Sequence, residues 1–541
     1  MHMADPNYHF PDELEALDYL MFRGETDPRT RSGTMGIITL EGTPSLASIQ
    51  HDYDRISRNF VRLRQHVVTP AIPVVSPRWV IDPDFDLNYH VRTVALPAPG
   101  SMRNLLDVAC TLANQPFDLS RPLWEATLVT GLGETQSDSA VLFKMHHSVM
   151  DGMGAMALLG EFFDSEENAP ARPMPPKPIP EELNGVELAR RGLLTMASKA
   201  LPRAGRLFTK GLDLGLETVQ NPMAAVNELQ EQLESAKRVL GELPVSPSPV
   251  LRRRGLGRRI DAFSFPLADL RAAAKSNGCS VNDAYLAAVC DALRRYHEAM
   301  GEPVDAVPMA IPVNLRRDDD PSAGNRFAGA RLVAPIAISD PRDAMKVIRE
   351  RVLSVTAEPA INLLSLIAPA LNLMPQPILE SFNELVAGSD VQASNVPGYP
   401  GPLWLNGHRV TGYYPIGPVP GVGMMIAMLS LMGQCHIGVH LDTAAVSDPE
   451  LFGRCLRDGF AHVINSVSND AEPDAKSVRK SRPTSKGKKT AKQAAKPSTK
   501  PKSRGPKSTT RTAVASAVAS KKVASAAAPK KKAAKTTRST T

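Results

Sequence analysis

Short apolar, β-rich runs at 34–40 and 140–145 predict strands, and between them the apolar positions of 101–114 recur at helical spacing. An acidic run at 164–167 then leads into six prolines between Pro170 and Pro180, a density that neither helix nor sheet can continue. The stretch 186–240 regains helical spacing with interruptions at Pro202 and Pro222, and Pro244, Pro247 and Pro249 close it. From Arg258 to about Asn465 strand and helix patterns alternate again. The pattern therefore predicts two α/β halves, 1–165 and 258–468, joined by a proline-rich and helical linker at 166–257.

Charge separates a further segment. The chain of 541 residues carries a formal +7, yet 21 Lys or Arg and no acidic residue fall between Lys476 and the end. Residues 1–475 keep 42 basic and 56 acidic residues, a net charge of −14. The tail 469–541 is rich in Lys, Ala, Pro, Ser and Thr and has no aromatic residue, so it cannot bury enough apolar surface to offset ordering and is expected to be disordered. Such a tail attracts polyanions, either nucleic acid or anionic lipid headgroups, or serves as a solubilising extension, and composition does not choose among these. Cys110, Cys279, Cys290, Cys435 and Cys455 are odd in number and include no C-x-x-C pair, which argues against a disulfide framework or zinc site and fits a reducing cytoplasm. The N-terminus has no apolar signal core, and the most apolar stretch, 361–379, is broken by Asn362, Ser365, Asn372 and prolines. Any membrane contact is expected to be peripheral.

The chemistry concentrates at His146-His147-Ser148-Val149-Met150-Asp151-Gly152, where a β-rich run ends and a helical segment opens. Neighbouring residues of a strand point to opposite faces, so only one of the two histidines can face a given cavity. That disfavours joint metal chelation and suits one histidine acting as a general base near neutral pH. Gly152-Met153-Gly154-Ala155-Met156-Ala157 also fits a dinucleotide fingerprint, but some twenty residues on lies the proline-rich linker instead of a second strand.

The string H-H-x-x-x-D-G resembles the motif of chloramphenicol acetyltransferase-like enzymes, and further segments resemble the bacterial bifunctional wax ester synthase and acyl-CoA:diacylglycerol acyltransferases. Pro122-Leu123-Trp124 is similar to that family's P-L-W segment, and Asn282-Asp283 to its N-D motif. Pro312-Val313-Asn314-Leu315-Arg316 is similar to its P-V-S-x-R strand with Asn314 in place of Ser. Ser394-Asn395-Val396-Pro397-Gly398 is similar to S-N-V-P-G-P, with Tyr399 where the last Pro is usual. The resemblance covers about 14–463.

It implies an α/β (α+β) fold of two chloramphenicol acetyltransferase-like subdomains around a central tunnel, with His147 at its middle as general base and His146 turned away. Acyl-CoA would be a substrate, diacylglycerol or a long-chain alcohol the acceptor, with no cofactor and no metal. Asp151 would orient the loop after the histidines by holding an arginine, with Arg316 the candidate, while Gly152 opens the following helical segment. Trp124 would pack in the core or shape a channel wall, and Ser394 and Asn395 would supply polar groups near the reacting centre. Asn282 and Asp283 suit a helix N-terminus, where capping is expected before substrate contact. The chain has no G-x-S-x-G elbow, so a covalent serine intermediate is not supported.

The alternatives are a condensation or polyketide-associated acyltransferase, and a non-catalytic lipid-body or DNA-binding protein acting through its tail. In 190–210 basic residues (Arg190, Arg191, Lys199, Arg203, Arg206, Lys210) alternate with apolar ones. That pattern fits a helix packed on the body or one lying on a membrane or lipid-droplet surface.

Overall fold

In the computed structural model, which describes residues 10–72, 75–150, 158, 160–200, 248–314, 327–356, 368–376, 379 and 388–467, the strands sort into two six-stranded sheets and one small ribbon. The first sheet grows around β1 (Gly33–Leu40), which pairs antiparallel with β6 (Asp138–His146). Beyond β6 lie β5 (Trp124–Leu132), antiparallel, and β4 (Val91–Ala95), parallel to β5. β6 is buried from Ser139 to His146, as a central strand covered on both faces must be.

One face of this sheet carries α4 (Met102–Ala113), which begins at a capping box between Ser101 and Asn104. Its Leu105, Leu106 and Ala109 pack with Ile37 and Leu142. The other face takes α2 (Leu46–Asn59), whose Ile49, Tyr53 and Ile56 share a core with Trp124, Phe143 and Met145. α1 (Ala16–Gly24) precedes β1, and a single helical turn, α3 (Leu87–His90), precedes β4.

The second sheet has the order β7 (Arg258–Pro266), β14 (Gln434–Asp442), β13 (Met424–Leu431), β10 (Val391–Pro397), β8 (Ala306–Asn314) and β9 (Phe327–Pro335). β10 pairs parallel with β13 along its length but meets β8 only at Val391–Met309 and Gln392–Ala310. Pro308 and Pro312 flank those two β8 residues and lack the N–H that a longer ladder needs. α7 (Val281–Ala299) lies buried on this sheet between α6 (Leu267–Ser276), α8 (Pro341–Thr356) and α9 (Pro449–Asn465).

The halves of the sequence are not the halves of the sheets. β11 (Trp404–Leu405) and β12 (His408–Ile416) fall within 258–468, yet β12 pairs antiparallel with β1 and completes the first sheet. Ile416, Ile260 and Ala262 therefore join Met35 and Ile37 in one shared core.

The linker runs into α5 (Gly185–Ala200), whose Leu188 packs with Val68 and Val80 of the ribbon formed by β2 (Gln65–Val68) and β3 (Arg78–Ile81). Val186, Leu193 and Leu194 are exposed on the same helix. Among the described residues no helix is long and apolar enough to cross a membrane. Residues 201–247 and the basic tail 469–541 lie outside the described residues.

Candidate active site

β6 ends at His146, and His147 is the first residue of the turn that follows it. Lys144 and His146 point to the side of Phe117. The Lys144 ammonium stands 4.1 Å over the Phe117 ring, and the His146 ring meets it edge-on with centroids 5.9 Å apart. His146 has no exposed surface, whereas His147 is half-buried. The backbone of His147 is fixed on each side of the turn. Its N–H donates to the Ser32 carbonyl at 2.9 Å, and the Val149 N–H closes onto the His146 carbonyl at 3.0 Å.

His146 serves the turn. Its Nδ1 accepts the Ser148 backbone N–H at 3.2 Å, and Ser148 Oγ lies 2.7 Å from the same nitrogen. An Nδ1 that accepts leaves the ring proton on Nε2. Burial, helped by the neighbouring His147, pushes the His146 pKa down to about 3, so the ring is neutral at physiological pH.

Behind this ring stands Glu25, just after α1 and 2% exposed, with Oε2 3.6 Å from His146 Nε2. Burial raises the Glu25 pKa, against backbone hydrogen bonds from Phe117 and Ser32 and the charges of Lys144 and Arg31. The sequence gives no sign of this residue, because a lone glutamate far upstream of the motif carries no local pattern.

Trp124 is a core residue. Its ring is fully buried, stacks on Tyr53 at 5.4 Å and on His90 at 4.5 Å, and donates its Nε1–H to the Leu63 carbonyl at 2.6 Å. Removing such a ring costs roughly 3–5 kcal/mol of stability. It anchors β5 beside Met145 and carries no exposed edge.

The remaining motifs meet in the second sheet. Ser280 is the N-cap of α7 and Asp283 its reciprocal partner, so Asp283 takes up a capping role and also pairs with Arg349 at 3.3 Å. Asn282 is free of that duty. Its Oδ1 accepts Asn395 Nδ2 at 3.4 Å, which ties the start of α7 to β10. At Gly398 a Cβ would stand 2.9 Å from the Ser430 carbonyl, which accounts for glycine after Val396-Pro397. Val396 and Tyr399 pack into the same cluster as Met145, Val149, Met150, Leu429 and Leu431, so this strand end reaches the core beside the histidine turn. Asp151, Gly152 and Arg316 lie outside the described residues.

The chain matches the wax ester synthase/diacylglycerol acyltransferase catalytic domain over residues 6–285 and the C-terminal domain of the same family over 323–463. A Mycobacterium tuberculosis protein named as a diacylglycerol O-acyltransferase is 44% identical over 453 residues, covering 84% of this chain and 92% of that one. The chain belongs to the wax ester synthase/diacylglycerol acyltransferase family. It is an acyltransferase.

A second relative from the same species, similarly named, is 31% identical over 386 residues, covering 68% of this chain and 79% of its own. Among solved structures the wax ester synthase/diacylglycerol acyltransferase from Marinobacter aquaeolei VT8 superposes with a TM-score of 0.56 at 20% identity, over 84% of this chain and all of that one. The first condensation domain of the CDA synthetase shares the fold at a TM-score of 0.50 and 14% identity, over 86% of this chain and 98% of its own. The likeness to condensation domains is one of fold, and the family match separates this acyltransferase from them.

Proposed function

We propose that the chain moves a fatty acyl group from acyl-CoA to the hydroxyl of diacylglycerol, of a long-chain alcohol, or of both. His147 takes the hydroxyl proton as the oxygen attacks the thioester carbonyl. The tetrahedral oxyanion collapses, the carbon–sulfur bond breaks, and the proton passes to the departing thiolate. No covalent enzyme intermediate, cofactor or metal enters these steps.

The observation that carries this reading is the unequal burial of two adjacent histidines. His146 is sealed in and neutral, while His147 is half-buried on a peptide held by Ser32. A base that must reach a substrate and keep its direction needs that combination. The hydrogen bond between Asn282 and Asn395 ties two of the expected polar groups together, and Ser394 would supply another near the reacting centre. A tunnel between the two sheets would bring acyl-CoA and acceptor to His147 from opposite sides.

Two wider contacts belong to the same reading. The exposed Val186, Leu193 and Leu194 of α5, with Arg190 and Arg191 on the same helix, support peripheral contact with a membrane or lipid-droplet surface, where the acceptor dissolves. The 21 positive charges of the tail would hold anionic lipid or nucleic acid through counterion release.

The test is product formation from palmitoyl-CoA with dioleoylglycerol or hexadecanol, scored by thin-layer chromatography. Wild-type protein should yield triacylglycerol, wax ester or both, and His147→Ala should lose turnover on the order of a hundred-fold or more. A His147→Ala protein as active as wild type would remove the base from His147.

A further inference from the structure

We infer that Glu25 is a positioning residue for His147, reaching its peptide from both directions through Ser32 and His146. The inference rests on the reading of His147 as the base. Glu25 Oε1 accepts the Phe117 N–H at 3.0 Å, and the Ser32 amide also leans on the carboxylate. The Ser32 carbonyl in turn accepts the His147 N–H at 2.9 Å, which is the route from the N-terminal side.

The second route runs through the ring of His146. Because Nδ1 accepts from Ser148, the proton sits on Nε2, and that edge faces Glu25 Oε2 at 3.6 Å. The separation is longer than a hydrogen bond, so the contact is one of charge with dipole. It favours the tautomer and ring direction that let Nδ1 hold the peptide after His147. Among the described residues Oε2 makes no hydrogen bond, although Glu25 is 2% exposed. Burying a carboxylate with an unserved oxygen is costly, and an apolar residue would plug the same space at lower cost. The groups around it are the His146 edge, the Arg31 guanidinium 4.0 Å from Oε1 and the Lys144 charge, all of which favour a carboxylate there.

Glu25→Gln keeps the shape and an acceptor for Phe117 but turns an amide N–H₂ toward a ring edge that already carries a proton. Donor then meets donor, and the His146 ring must turn or change tautomer, releasing Ser148. The glutamine protein should melt cooperatively and keep its KM for palmitoyl-CoA, with kcat lowered on the order of ten- to a hundred-fold, as expected for a displaced base. His146→Gln should lower kcat similarly, and the double variant should lose no more than the worse single one, because the glutamine at 25 keeps an acceptor for the backbone amides and both changes then act along the His146 route. A purely structural Glu25 would give additive losses, or no loss in kcat. Should the glutamine protein not fold, Glu25→Asp decides: it keeps the charge but draws it back from the ring, so kcat should fall at unchanged KM. A folded Glu25→Gln or Glu25→Asp protein with wild-type kcat, alongside an inactive His147→Ala, overturns the role of Glu25 and leaves the base in place. An active His147→Ala overturns the reading beneath it.

Discussion

β6 and β14 are both nine-residue strands, buried from their second residue to their last, and each follows its antiparallel hairpin partner. Their ends are built alike. His146 Nδ1 accepts the N–H of Ser148, two residues on, and Asp442 Oδ1 accepts the N–H of Ala444 at 2.9 Å, again two residues on. The next residue in each case donates its N–H to the residue just before the neighbouring strand: His147 to Ser32 at 2.9 Å, Thr443 to Gly257 at 3.0 Å. A turn then closes onto the strand-end carbonyl, from Val149 in one sheet and Ala445 in the other. Even exposure agrees, since His147 and Thr443 are both half-buried.

What differs is what fills the turn and what stands behind it. Glu25 backs the neutral His146, whereas Arg258 backs the Asp442 carboxylate at 3.3 Å. This turn, with one half-exposed residue on a fixed peptide, therefore belongs to the architecture. On the proposed reading the chemistry comes from the imidazole that only the first sheet has there.

The largest effect of a single substitution on stability should come from the second sheet. Asp442 also accepts the Gly255 N–H at 2.8 Å, so Asp442→Ala orphans that amide and removes the counter-charge of Arg258, leaving its guanidinium only the Gly255 and Gly257 carbonyls. Breaking such a buried pair from one side costs about 3–5 kcal/mol, read as a lower urea midpoint at unchanged slope. A loss under roughly 1 kcal/mol would mean that the turn does not depend on its strand-end side chain.

Acid comes next, and it should strike both sheets. Burial lowers the pKa of His146 to about 3 and those of His90, His436 and His440 to about 4, all from 6.5. Between pH 6.5 and about 4 the unfolded chain binds protons that the folded chain refuses, so stability rises with pH there. Each such histidine contributes roughly 1.4 kcal/mol per pH unit in that window. Thermal melts should fall steadily from pH 6.5 downward and be flat in this respect above it. A melting temperature constant down to pH 4 would show that these rings accept protons in place.

Thr443→Ala sharpens the contrast with His147→Ala. Thr443 holds the equivalent position with no imidazole, so on the proposed reading kcat should stay within about twofold. A large loss would make the second turn part of the reaction. The smallest effect belongs to the tail. Deleting 476–541 should leave acyl transfer to a dispersed acceptor nearly unchanged, while salt-sensitive retention on anionic vesicles and on DNA weakens. A folded truncated protein without transferase activity would place the tail in the catalytic unit.

Much of the first sheet was legible in the sequence, because its signals are local. The run 34–40 became β1, 140–145 lies within β6, and 101–114 became α4 with Ser101 as its cap. The histidine string was legible as a local motif, but only His146 lies on the strand, and the unequal burial of the pair comes from the turn that begins at His147 and not from the strand pleat. At the start of α7, the preference for capping over contact divided: Asp283 completes the capping box, while Ser280 holds the N-cap and Asn282 turns to Asn395. Three residues of similar capping chemistry in sequence leave that choice to tertiary packing. Glu25 and the placement of β12 were not legible. The first acts through a contact with a distant strand, and the second is an ordinary alternating strand whose pattern does not say which sheet it joins.

That placement of β12 governs how the chain can be made. Thr39 donates its hydroxyl to the carbonyl of Gly412, 373 residues away, and the two strands pair from Met35–Ile416 to Leu40–Val410. During synthesis the first sheet can close on β6 early, but the outer side of β1 has no partner until almost the whole body has left the ribosome. For that interval β1 is an open template for any extended segment, on the same chain or another. Slow translation of the region before β12, or a break anywhere between the two strands, should expose it longer. The yield of native protein is then set by how long one edge of Gly33–Leu40 waits for its partner.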